Sequence, residues 1–231
     1  MTELEIKIAD NLKSINERIA KAAESAGRRA EDVRLVAVSK TVGPEAVRAA
    51  ILAGQREFAE NRVQVLREKL EAIPDENINW HLIGHLQTNK VKYCADKVSL
   101  IHSIDRLELA EELERFAKKH DTEVHGLLQL NVSGEESKFG LDPEKINEFI
   151  EGFGKLTRVH IDGLMTMAPF GAEKSYLREI FSKTREISID ISSQNVHNIS
   201  MVELSMGMSG DFEEAILEGA TIVRIGTAVF S

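Results

Sequence analysis

Lys40 stands at the end of an apolar run, a position where an amine can do chemistry. It directly follows Leu35–Ser39, which we expect to be a buried strand. A lysine at the edge of an apolar core is partly desolvated, which favours the neutral amine that attacks a carbonyl group. The alternative is a lysine whose stem packs at the rim while its ammonium group stays in water.

Arg224 lies inside another apolar run, close to two residues that could approach a phosphate group. Arg224 and Gly226 are two positions apart, so in a strand they face the same side. A buried arginine needs an anionic or polar partner, whereas Gly226 permits close backbone approach and Thr227 adds a hydroxyl and an N–H group. These residues predict a phosphate site, and a structural ion pair from Arg224 to an acidic neighbour is the alternative.

The segment Ser205–Asp211 is a second anion-binding candidate, because small residues precede a helical pattern there. Backbone N–H groups at a helix N-terminus favour an anion, so Ser205 and Ser209 are candidate ligands. The simpler interpretation is that Ser209 or Asp211 caps the helix without any ligand.

Two further polar features do not predict chemistry. His81 and His85 have the spacing of metal ligands on a helix, but Gly84 and the surrounding strand pattern argue against a helix and therefore against a metal site. Cys94, the only cysteine, lies in a helical pattern, where we expect a buried and inert thiol.

Short apolar runs alternate with helical patterns along the chain, after an N-terminal helical segment with apolar residues at three- and four-residue steps. The predicted strands are Arg34–Ser39, Glu57–Asn61, Asn79–Ile83, Leu100–Ile104, Val124–Val132, Val159–Met167, Ile199–Leu204 and Ile222–Val229. The predicted helices between them are Pro44–Ala53, Val63–Ala72, Asn89–Ala95, Arg106–Lys119, Pro143–Phe153, Glu173–Ile187 and Asp211–Glu218. This alternation predicts a parallel sheet, and eight strands are the number that closes a barrel.

The expected fold class is therefore α/β, a (β/α)8 TIM barrel formed by residues 1–231 as a single domain with an extra N-terminal helix. The runner-up is an open doubly wound sheet, but no G-x-G-x-x-G motif follows the first strand. No linker or change of composition divides the chain. In a parallel barrel the carboxyl ends of all strands meet at one mouth, so we expect Lys40, Asn61 and the segments after strands seven and eight to surround one ligand.

Charge and composition exclude several classes of protein. The formal net charge is −9 and there is no long basic run, so we expect no binding to nucleic acid or to an anionic membrane. No apolar run approaches the roughly 20 residues that cross a bilayer, and the N-terminus lacks the pattern of a secretory signal. A single cysteine fits a reducing compartment, most simply the cytoplasm.

Eight segments in the correct order make the sequence resemble a known family, the pyridoxal 5′-phosphate (PLP) homeostasis proteins of the alanine racemase N-terminal-domain type. The segments are AVSKT (37–41), FAENRVQ (58–64), WHLIGHLQTNK (80–90), HSID (102–105), LNVSGEESKFGL (130–141), GLMTMAP (163–169), ELSMGMSGDFEEAI (203–216) and GATIVRIGTAVF (219–230). The resemblance covers nearly the whole chain.

The resemblance implies a role for each candidate residue. Lys40 matches the lysine that carries PLP as a Schiff base, and Arg224 matches the arginine that faces the pyridine nitrogen. The remaining cofactor-binding positions that it implies are Asn61 beside the cofactor and Ser205, Gly226, Thr227 and, secondarily, Ser209 at the phosphate. Family members are generally monomeric single barrels linked to vitamin B6 balance, with no robust enzymatic activity established.

Two features depart from the family pattern. Arg62 stands where the family often has an aromatic residue, and the chain ends at Ser231, where family members usually continue for several residues. The sequence leaves open whether His85, Gln87 and Asn131 contact the ligand or only their neighbours.

The residues favour a PLP carrier over an enzyme. An arginine beside the pyridine nitrogen disfavours ring protonation, and an unprotonated ring is a weaker electron sink. The only tyrosines, Tyr93 and Tyr176, lie in helical patterns, so no second acid/base group is evident opposite Lys40. We expect a protein that buffers PLP or delivers it to PLP-requiring apoenzymes. The alternatives are a low-activity PLP-dependent amino-acid racemase and an aldolase-like barrel that uses Lys40 without PLP.

Overall fold

Eight parallel strands form a closed barrel in chain order in the computed structural model, which describes residues 1–74, 77–135 and 139–231. The strands are β1 (Arg34–Val38), β2 (Glu57–Glu60), β3 (Asn79–Leu82), β4 (Leu100–Ile104), β5 (Val124–Gln129), β6 (Val159–Met165), β7 (Ile199–Ser205) and β8 (Ile222–Ile225). β1 pairs with both β2 and β8, which closes the barrel. The predicted (β/α)8 fold is confirmed.

Helices follow the strands and cover the outside of the barrel. They are α1 (Glu3–Ser25), α2 (Pro44–Leu52), α3 (Val63–Ala72), α4 (Leu107–His120), α5 (Ile146–Phe153), α6 (Lys174–Ser193), α7 (Phe212–Leu217) and α8 (Thr227–Phe230). Short 3-10 helices occur at Ala30–Asp32, Thr88–Tyr93 and Pro143–Lys145, and the second of these replaces the predicted helix Asn89–Ala95. Within the described ranges, no helix is both long and apolar enough to span a membrane.

The extra N-terminal helix is present and begins with a capping box. The Glu5 N–H group donates to Thr2 Oγ1, and the Thr2 N–H group donates to Glu5 Oε2. Its buried face contains Ile8, Leu12, Ile15, Ile19, Ala22 and Ala23. This face packs against α2, α7 and α8, the helices that adjoin β1 and β8 along the chain.

The last strand is shorter than the sequence pattern predicts. The apolar run favours a strand to Val229, but β8 ends earlier and Thr227 begins the helical turn α8. The Val229 N–H group donates to the Gly226 carbonyl, and Asn11 Nδ2 in α1 donates to the Val229 carbonyl. This contact with α1 holds the turn, so Thr227 lies at the mouth of the barrel as a turn residue.

Two separate apolar clusters identify the inner and outer faces of the strands. The larger cluster joins strand residues to the helices. The smaller one consists of Val36, Val38, Ala59, Leu100, Leu127, Met165 and Ile222 and lines the barrel interior. Because strand side chains alternate in direction, a residue two positions beyond a member of the inner cluster belongs to the same inward-facing series.

Gly84 allows the segments after β2 and β3 to touch through their backbones. A Cβ atom on Gly84 would lie 2.0 Å from the carbonyl oxygen of Asn61 and 2.9 Å from its Cα. Ser103 Oγ holds this segment in place because it donates to the Gly84 carbonyl at 2.7 Å. The contact fixes the position of Asn61 at the end of β2.

Glu114 on α4 ties down the segment that enters β6. Its carboxylate accepts hydrogen bonds from the N–H groups of Thr157 (3.0 Å) and Arg158 (2.8 Å) and from the Thr157 hydroxyl (2.9 Å), and it pairs with Lys118 at 2.9 Å. Burial opposes ionisation of Glu114, but these hydrogen bonds outweigh burial and lower its pKa to about 2.

We expect Glu114→Gln to destabilise the protein at neutral pH and to reduce its acid sensitivity. The folded-state pKa of about 2 lies below the ordinary value of 4.5, so the carboxylate stabilises the fold fully above pH 4.5 and stops doing so as the pH falls through about 2. The difference between these two pKa values corresponds to about 3 kcal/mol of the free energy of unfolding. Denaturant unfolding across this pH range measures it, and equal pH dependence of both proteins would contradict the assignment.

We also expect Gly84→Ala to lower the free energy of unfolding by about 1–3 kcal/mol, because the new methyl group overlaps backbone atoms that cannot move independently. Gly210 is the matched control, since a Cβ atom there meets nothing within 4 Å. Thermal or denaturant unfolding of both variants tests the contact. Equal stability of the two variants would show that Gly84 does not constrain Asn61.

Candidate functional site

The ends of β1 and β2 bring Lys40 and Asn61 side by side. Val38 pairs with Ala59, and the backbone ladder continues one step because the Ser39 N–H group donates to the Ala59 carbonyl. Lys40 is two positions beyond Val38, and Asn61 is two positions beyond Ala59. Both residues lie just beyond the strand ends at the mouth of the barrel, Lys40 in a turn and Asn61 in a bend.

The Lys40 side chain is exposed, and its ammonium group has no hydrogen-bond or ion-pair partner among the described residues. The rim-lysine alternative describes this exposed side chain, and the partial desolvation expected from the sequence stays a prediction. The exposed amine is available to a ligand at the mouth.

A buried charged cluster lies directly beneath Lys40. Lys69 of α3 donates to the Ser39 carbonyl at 2.5 Å and to Glu60 Oε1, and Ser39 Oγ donates to the same carboxylate oxygen at 2.6 Å. The side chains of all three residues are buried. Glu60 Oε2 has no hydrogen-bond partner in the described part of the chain. The cluster anchors the backbone that presents Lys40.

Arg224 lies deeper in the barrel, where it is only 3% exposed and pairs through its backbone with Val36 of β1. Its Nη1 donates to Ser205 Oγ at 2.6 Å and its Nη2 to the Thr166 carbonyl at 2.9 Å. Burial lowers the pKa of Arg224 to about 10, an effect that the charge of Asp211 partly offsets. No described carboxylate forms an ion pair with this guanidinium, so the structural ion-pair alternative is wrong.

Ser205 is completely buried, and two side chains of the barrel interior contact its hydroxyl group. Besides Arg224 Nη1, the ring nitrogen Nδ1 of His102 lies 2.9 Å from Ser205 Oγ. The hydroxyl is therefore already occupied, and a phosphate contact from Ser205 stays a prediction.

Ser209, Gly226 and Thr227 come together where the loops after β7 and β8 meet. The Ala228 N–H group lies 3.5 Å from Ser209 Oγ. Ser209 and Gly226 are partly exposed and Thr227 is exposed, so their polar groups are open to a ligand. A Cβ atom on Gly226 would lie 3.0 Å from the Val38 carbonyl oxygen, so the glycine lets this loop approach the end of β1 closely.

Gly207 and Asp211 shape the loop after β7. Gly207 has φ +94°, and a Cβ atom there would lie 2.8 Å from the Phe212 Cα. The Met208 N–H group donates to Asp211 Oδ1 at 2.5 Å, and burial raises the pKa of this aspartate. Neither Ser209 nor Asp211 caps α7 through its side chain. Asp211 nevertheless occupies the N-cap position of α7, so the capping alternative is confirmed in position for Asp211 but not as a side-chain hydrogen bond.

A second concave surface lies at the rim, beside the segments that follow β3, β4 and β5. This cavity has a volume of about 720 Å³, and its lining includes His85, Gln87, Asp105 and Phe139. The His85 ring stacks on Phe139 at 4.2 Å, and its Nδ1 lies 3.2 Å from Asp105 Oδ2. Lys40 does not line this cavity. We therefore locate the candidate site from the residues at the strand ends and not from this cavity.

Local contacts account for other residues singled out in the sequence. Asn131 Nδ2 donates to the Glu135 carbonyl at 2.9 Å within its own loop. Cys94 is buried, which raises the pKa of its thiol to about 12 and confirms the expected inert cysteine. His81 is buried in β3 whereas His85 is exposed beyond it, and the described ranges contain no group of three or more metal-ligating side chains.

Sequence reasoning missed the role of three residues that hydrogen bonds join to Ser205 and Arg224, namely His102, His81 and Glu57. Glu57 precedes Ala59 by two positions, and His102 follows Leu100 by two, so both belong to inward-facing series. This alternation was the signal that could have found them. A histidine in an apolar strand gives no sign of its partner, which lies on another strand.

Comparisons with known proteins agree with this geometry. The family model described as "Alanine racemase, N-terminal domain" matches residues 11–231. The pyridoxal phosphate homeostasis protein of Aquifex aeolicus (strain VF5) is 46% identical over 221 residues, which is 96% of each chain. The protein of the same name from Pseudomonas aeruginosa is 41% identical over 96% of this chain and 94% of its own.

Solved structures extend the comparison. A protein of unknown function from Bifidobacterium adolescentis has a TM-score of 0.93 at 38% identity and covers 100% of this chain and 97% of its own. PipY of Synechococcus elongatus PCC7942, solved with PLP bound, has a TM-score of 0.86 at 34% identity over 97% of this chain and 100% of its own. Alanine racemase of Clostridium difficile 630 shares the fold at 16% identity and a TM-score of 0.75, and the match covers 96% of this chain and 56% of the racemase.

The barrel, the lysine at the end of β1 and the match to relatives over nearly their whole length all agree with the resemblance seen in the sequence. The chain belongs to the pyridoxal phosphate homeostasis protein family, within the proteins built on the alanine racemase N-terminal domain.

Proposed function

We propose that this protein binds PLP at the barrel mouth, with Lys40 as the point of covalent attachment, and that it serves in PLP homeostasis. The observation that carries the proposal is that, among the described residues, the Lys40 ammonium group at the barrel mouth has no partner and the buried Arg224 guanidinium has no carboxylate partner. The names of the relatives and the PLP bound to PipY support the same assignment.

The residues present fit the three reactive parts of PLP. An aldehyde forms a Schiff base with a primary amine, which Lys40 offers. A phosphate group accepts hydrogen bonds from hydroxyl and N–H groups, which Ser209, Gly226 and Thr227 offer at the meeting of two loops. A pyridine nitrogen accepts a hydrogen bond, and Arg224 uses only two of the five N–H groups of a guanidinium in its contacts with Ser205 and Thr166.

Asn61 and Ser205 complete the proposed binding set in different ways. Asn61 lies beside Lys40, where its amide can contact the bound ligand from the β2 side. Ser205 is one layer deeper, and we assign to its hydroxyl the support of Arg224 in preference to direct contact with the phosphate.

Arg224 favours binding over turnover. When bound, PLP supplies an electron sink for substrate carbanions, and the sink is strongest with a protonated ring. Arg224 carries only donors, so it can hydrogen-bond an unprotonated ring nitrogen but repels a protonated one. Its positive charge therefore weakens the chemistry that a racemase needs.

The tyrosines of the chain support the same choice. A racemase needs two acid/base groups on opposite faces of the cofactor. Tyr93 lies at the end of a 3-10 helix and Tyr176 lies in α6, and neither belongs to the inward-facing strand series. We therefore propose a PLP carrier and not an amino-acid racemase.

The exposure of Lys40 suits a carrier that releases its cargo. Water reaches the exposed amine and can hydrolyse a Schiff base there, which favours reversible loading. We propose that the protein acts as a cytoplasmic monomer and passes PLP to PLP-requiring apoenzymes. Its lone buried cysteine and its net charge of −9 are consistent with that setting.

We expect Lys40→Ala to abolish covalent PLP binding and to leave the fold intact, because the Lys40 side chain is exposed and forms no hydrogen bond or ion pair with a described residue. Borohydride treatment of the PLP-loaded protein followed by peptide mass spectrometry should locate the reduced adduct on Lys40. Lys97→Ala is the control, since this exposed lysine pairs only with Asp96.

An adduct retained in Lys40→Ala would refute the attachment point. The carrier function is tested with the same pair of variants, because the loaded Lys97→Ala protein should reactivate a PLP-requiring apoenzyme while Lys40→Ala should not. Absence of any PLP uptake by the unmodified chain would refute the proposed function and favour an aldolase-like use of Lys40.

We expect Arg224→Gln to change the pH dependence of the absorption spectrum of bound PLP. The buried cation disfavours protonation of the ring, so a neutral glutamine should let the ring nitrogen protonate at higher pH. Absorbance spectra recorded across a pH series, together with ¹⁵N NMR of labelled PLP, measure the effect. Identical pH profiles would mean that Arg224 does not face the ring.

A further inference from the structure

Four hydrogen bonds join five side chains into one line through the barrel interior, which we call the interior line. It begins with Arg224 Nη1 and Ser205 Oγ at 2.6 Å and continues from Ser205 Oγ to His102 Nδ1 at 2.9 Å. His102 Nε2 lies 2.8 Å from His81 Nδ1, and His81 Nε2 lies 2.7 Å from Glu57 Oε2. The line therefore links β8, β7, β4, β3 and β2.

The interior line crosses an apolar interior and is almost completely buried. Ser205 and His102 are 0% exposed, His81 is 1% exposed and Arg224 is 3% exposed. Glu57 is the exception, because it begins β2 at the amino-terminal end of the barrel and its side chain is 20% exposed. Buried polar groups are costly when a partner is missing, so the arrangement is stable only if each donor meets an acceptor.

The chemistry of the two ends determines the direction of every hydrogen bond. Glu57 as a carboxylate only accepts, so His81 Nε2 carries a hydrogen. A neutral His81 then accepts a hydrogen bond at Nδ1, so the facing Nε2 of His102 must carry a hydrogen. A neutral His102 with its hydrogen on Nε2 is in turn an acceptor at Nδ1. Ser205 donates to that nitrogen and accepts from Arg224, which only donates.

Reversing the donors and acceptors along the interior line is unfavourable. It would require a doubly protonated His81 and a hydrogen on His102 Nδ1 that points at Ser205 Oγ. The Ser205 oxygen would then accept from both Arg224 and His102, and its own hydroxyl hydrogen would have no acceptor among the described residues. A buried unsatisfied donor costs free energy comparable to a lost hydrogen bond.

The charges around the two histidines agree with this direction. Burial lowers the pKa of His102 well below its usual value, and the charges of Arg224 and Arg34 lower it further, so the His102 ring is neutral. Burial opposes ionisation of Glu57, but hydrogen bonds from His81 and Asn79 outweigh burial and lower its pKa. The acceptor end of the line is therefore a carboxylate at neutral pH.

We propose that Glu57, His81 and His102 are positioning residues that act through Ser205 to hold the Arg224 guanidinium in one orientation and keep the rings beside it uncharged. The proposal rests on the proposed function, in which Arg224 faces the PLP ring. It adds a support that extends to the opposite end of the barrel.

The interior line sets which edge of the guanidinium remains free. Nη1 is held by Ser205 and Nη2 by the Thr166 carbonyl, so rotation of the group would break both hydrogen bonds. The remaining N–H groups are then available to an acceptor above, such as a ring nitrogen. Neutral histidines also avoid placing a second cation beside Arg224.

The first experiment is ¹⁵N-edited NMR of the histidine rings in the full chain without PLP. We expect each ring to carry its hydrogen on Nε2, which leaves Nδ1 of His81 and of His102 as the hydrogen-bond acceptor. A doubly protonated His102, or a hydrogen on His102 Nδ1, would overturn the inference whatever the protein does with PLP. This measurement needs no variant, so a substitution that fails to fold cannot remove the test.

The second experiment compares PLP binding by His102→Phe, His102→Asn and the unmodified chain. Phenylalanine removes the acceptor for Ser205, so we expect the dissociation constant for PLP to rise about fivefold, as for the loss of one hydrogen bond, and the absorption band to shift. Asparagine restores an acceptor near the Nδ1 position and should recover part of both effects. His125→Asn is the control, because this exposed histidine pairs with Asp162 outside the interior line.

The outcomes separate the two proposals. If the unmodified chain takes up no PLP, the proposed function fails, and the NMR result alone decides whether the interior line exists. If PLP binds to Lys40 but His102→Phe binds it with unchanged affinity and spectrum, the positioning role is refuted and the proposed function stands. The inference is supported if His102→Phe changes both the PLP affinity and the absorption band, and if His102→Asn partly restores them. His125→Asn should leave both unchanged.

Discussion

The pairing of β1 with both β2 and β8 is the constraint on which the rest of the structure depends. It closes the barrel and leaves no open sheet edge. Lys40 and Arg224 stand far apart in the sequence, yet closure gives them one shared interior. Closure also brings Gly226 against the end of β1, so the loops after β7 and β8 meet near the lysine. Without this pairing the candidate residues would have no common site.

Two buried polar systems support the two cations of the site, and they differ in charge. Beneath Lys40 the structure uses a true ion pair between Lys69 and Glu60, in which Lys69 donates to the Ser39 carbonyl and Glu60 accepts from the Ser39 hydroxyl. Around Arg224 it uses neutral partners. An ion pair there would neutralise the guanidinium and reduce its interaction with a ligand, whereas neutral acceptors fix its position and leave its charge in place. The Lys40 amine is exposed, whereas two hydrogen bonds hold the buried Arg224 guanidinium.

Much of the fold could be predicted because strand and helix patterns differ in period and need no knowledge of distant contacts. The exception is instructive. The run that ends at Val229 has the composition of a strand, but its last residues form a helical turn held by Asn11 from the first helix. A contact that spans nearly the whole chain cannot be read from a local pattern. The same limit applies to Asp211, which occupies the N-cap position that local composition suggested, but whose carboxylate accepts from the Met208 N–H group and makes no capping hydrogen bond.

The sequence by itself determined the barrel, its single lysine at the end of β1 and the family, because these follow from alternation and from motifs in a given order. Only the tertiary structure decided that Lys40 is exposed, that Arg224 has no carboxylate partner among the described residues and that Ser205 faces His102. Burial and hydrogen bonding depend on which strands become neighbours around the barrel. Strand pairing joins residues over a hundred positions apart, and no local sequence pattern encodes the side chain that each one meets.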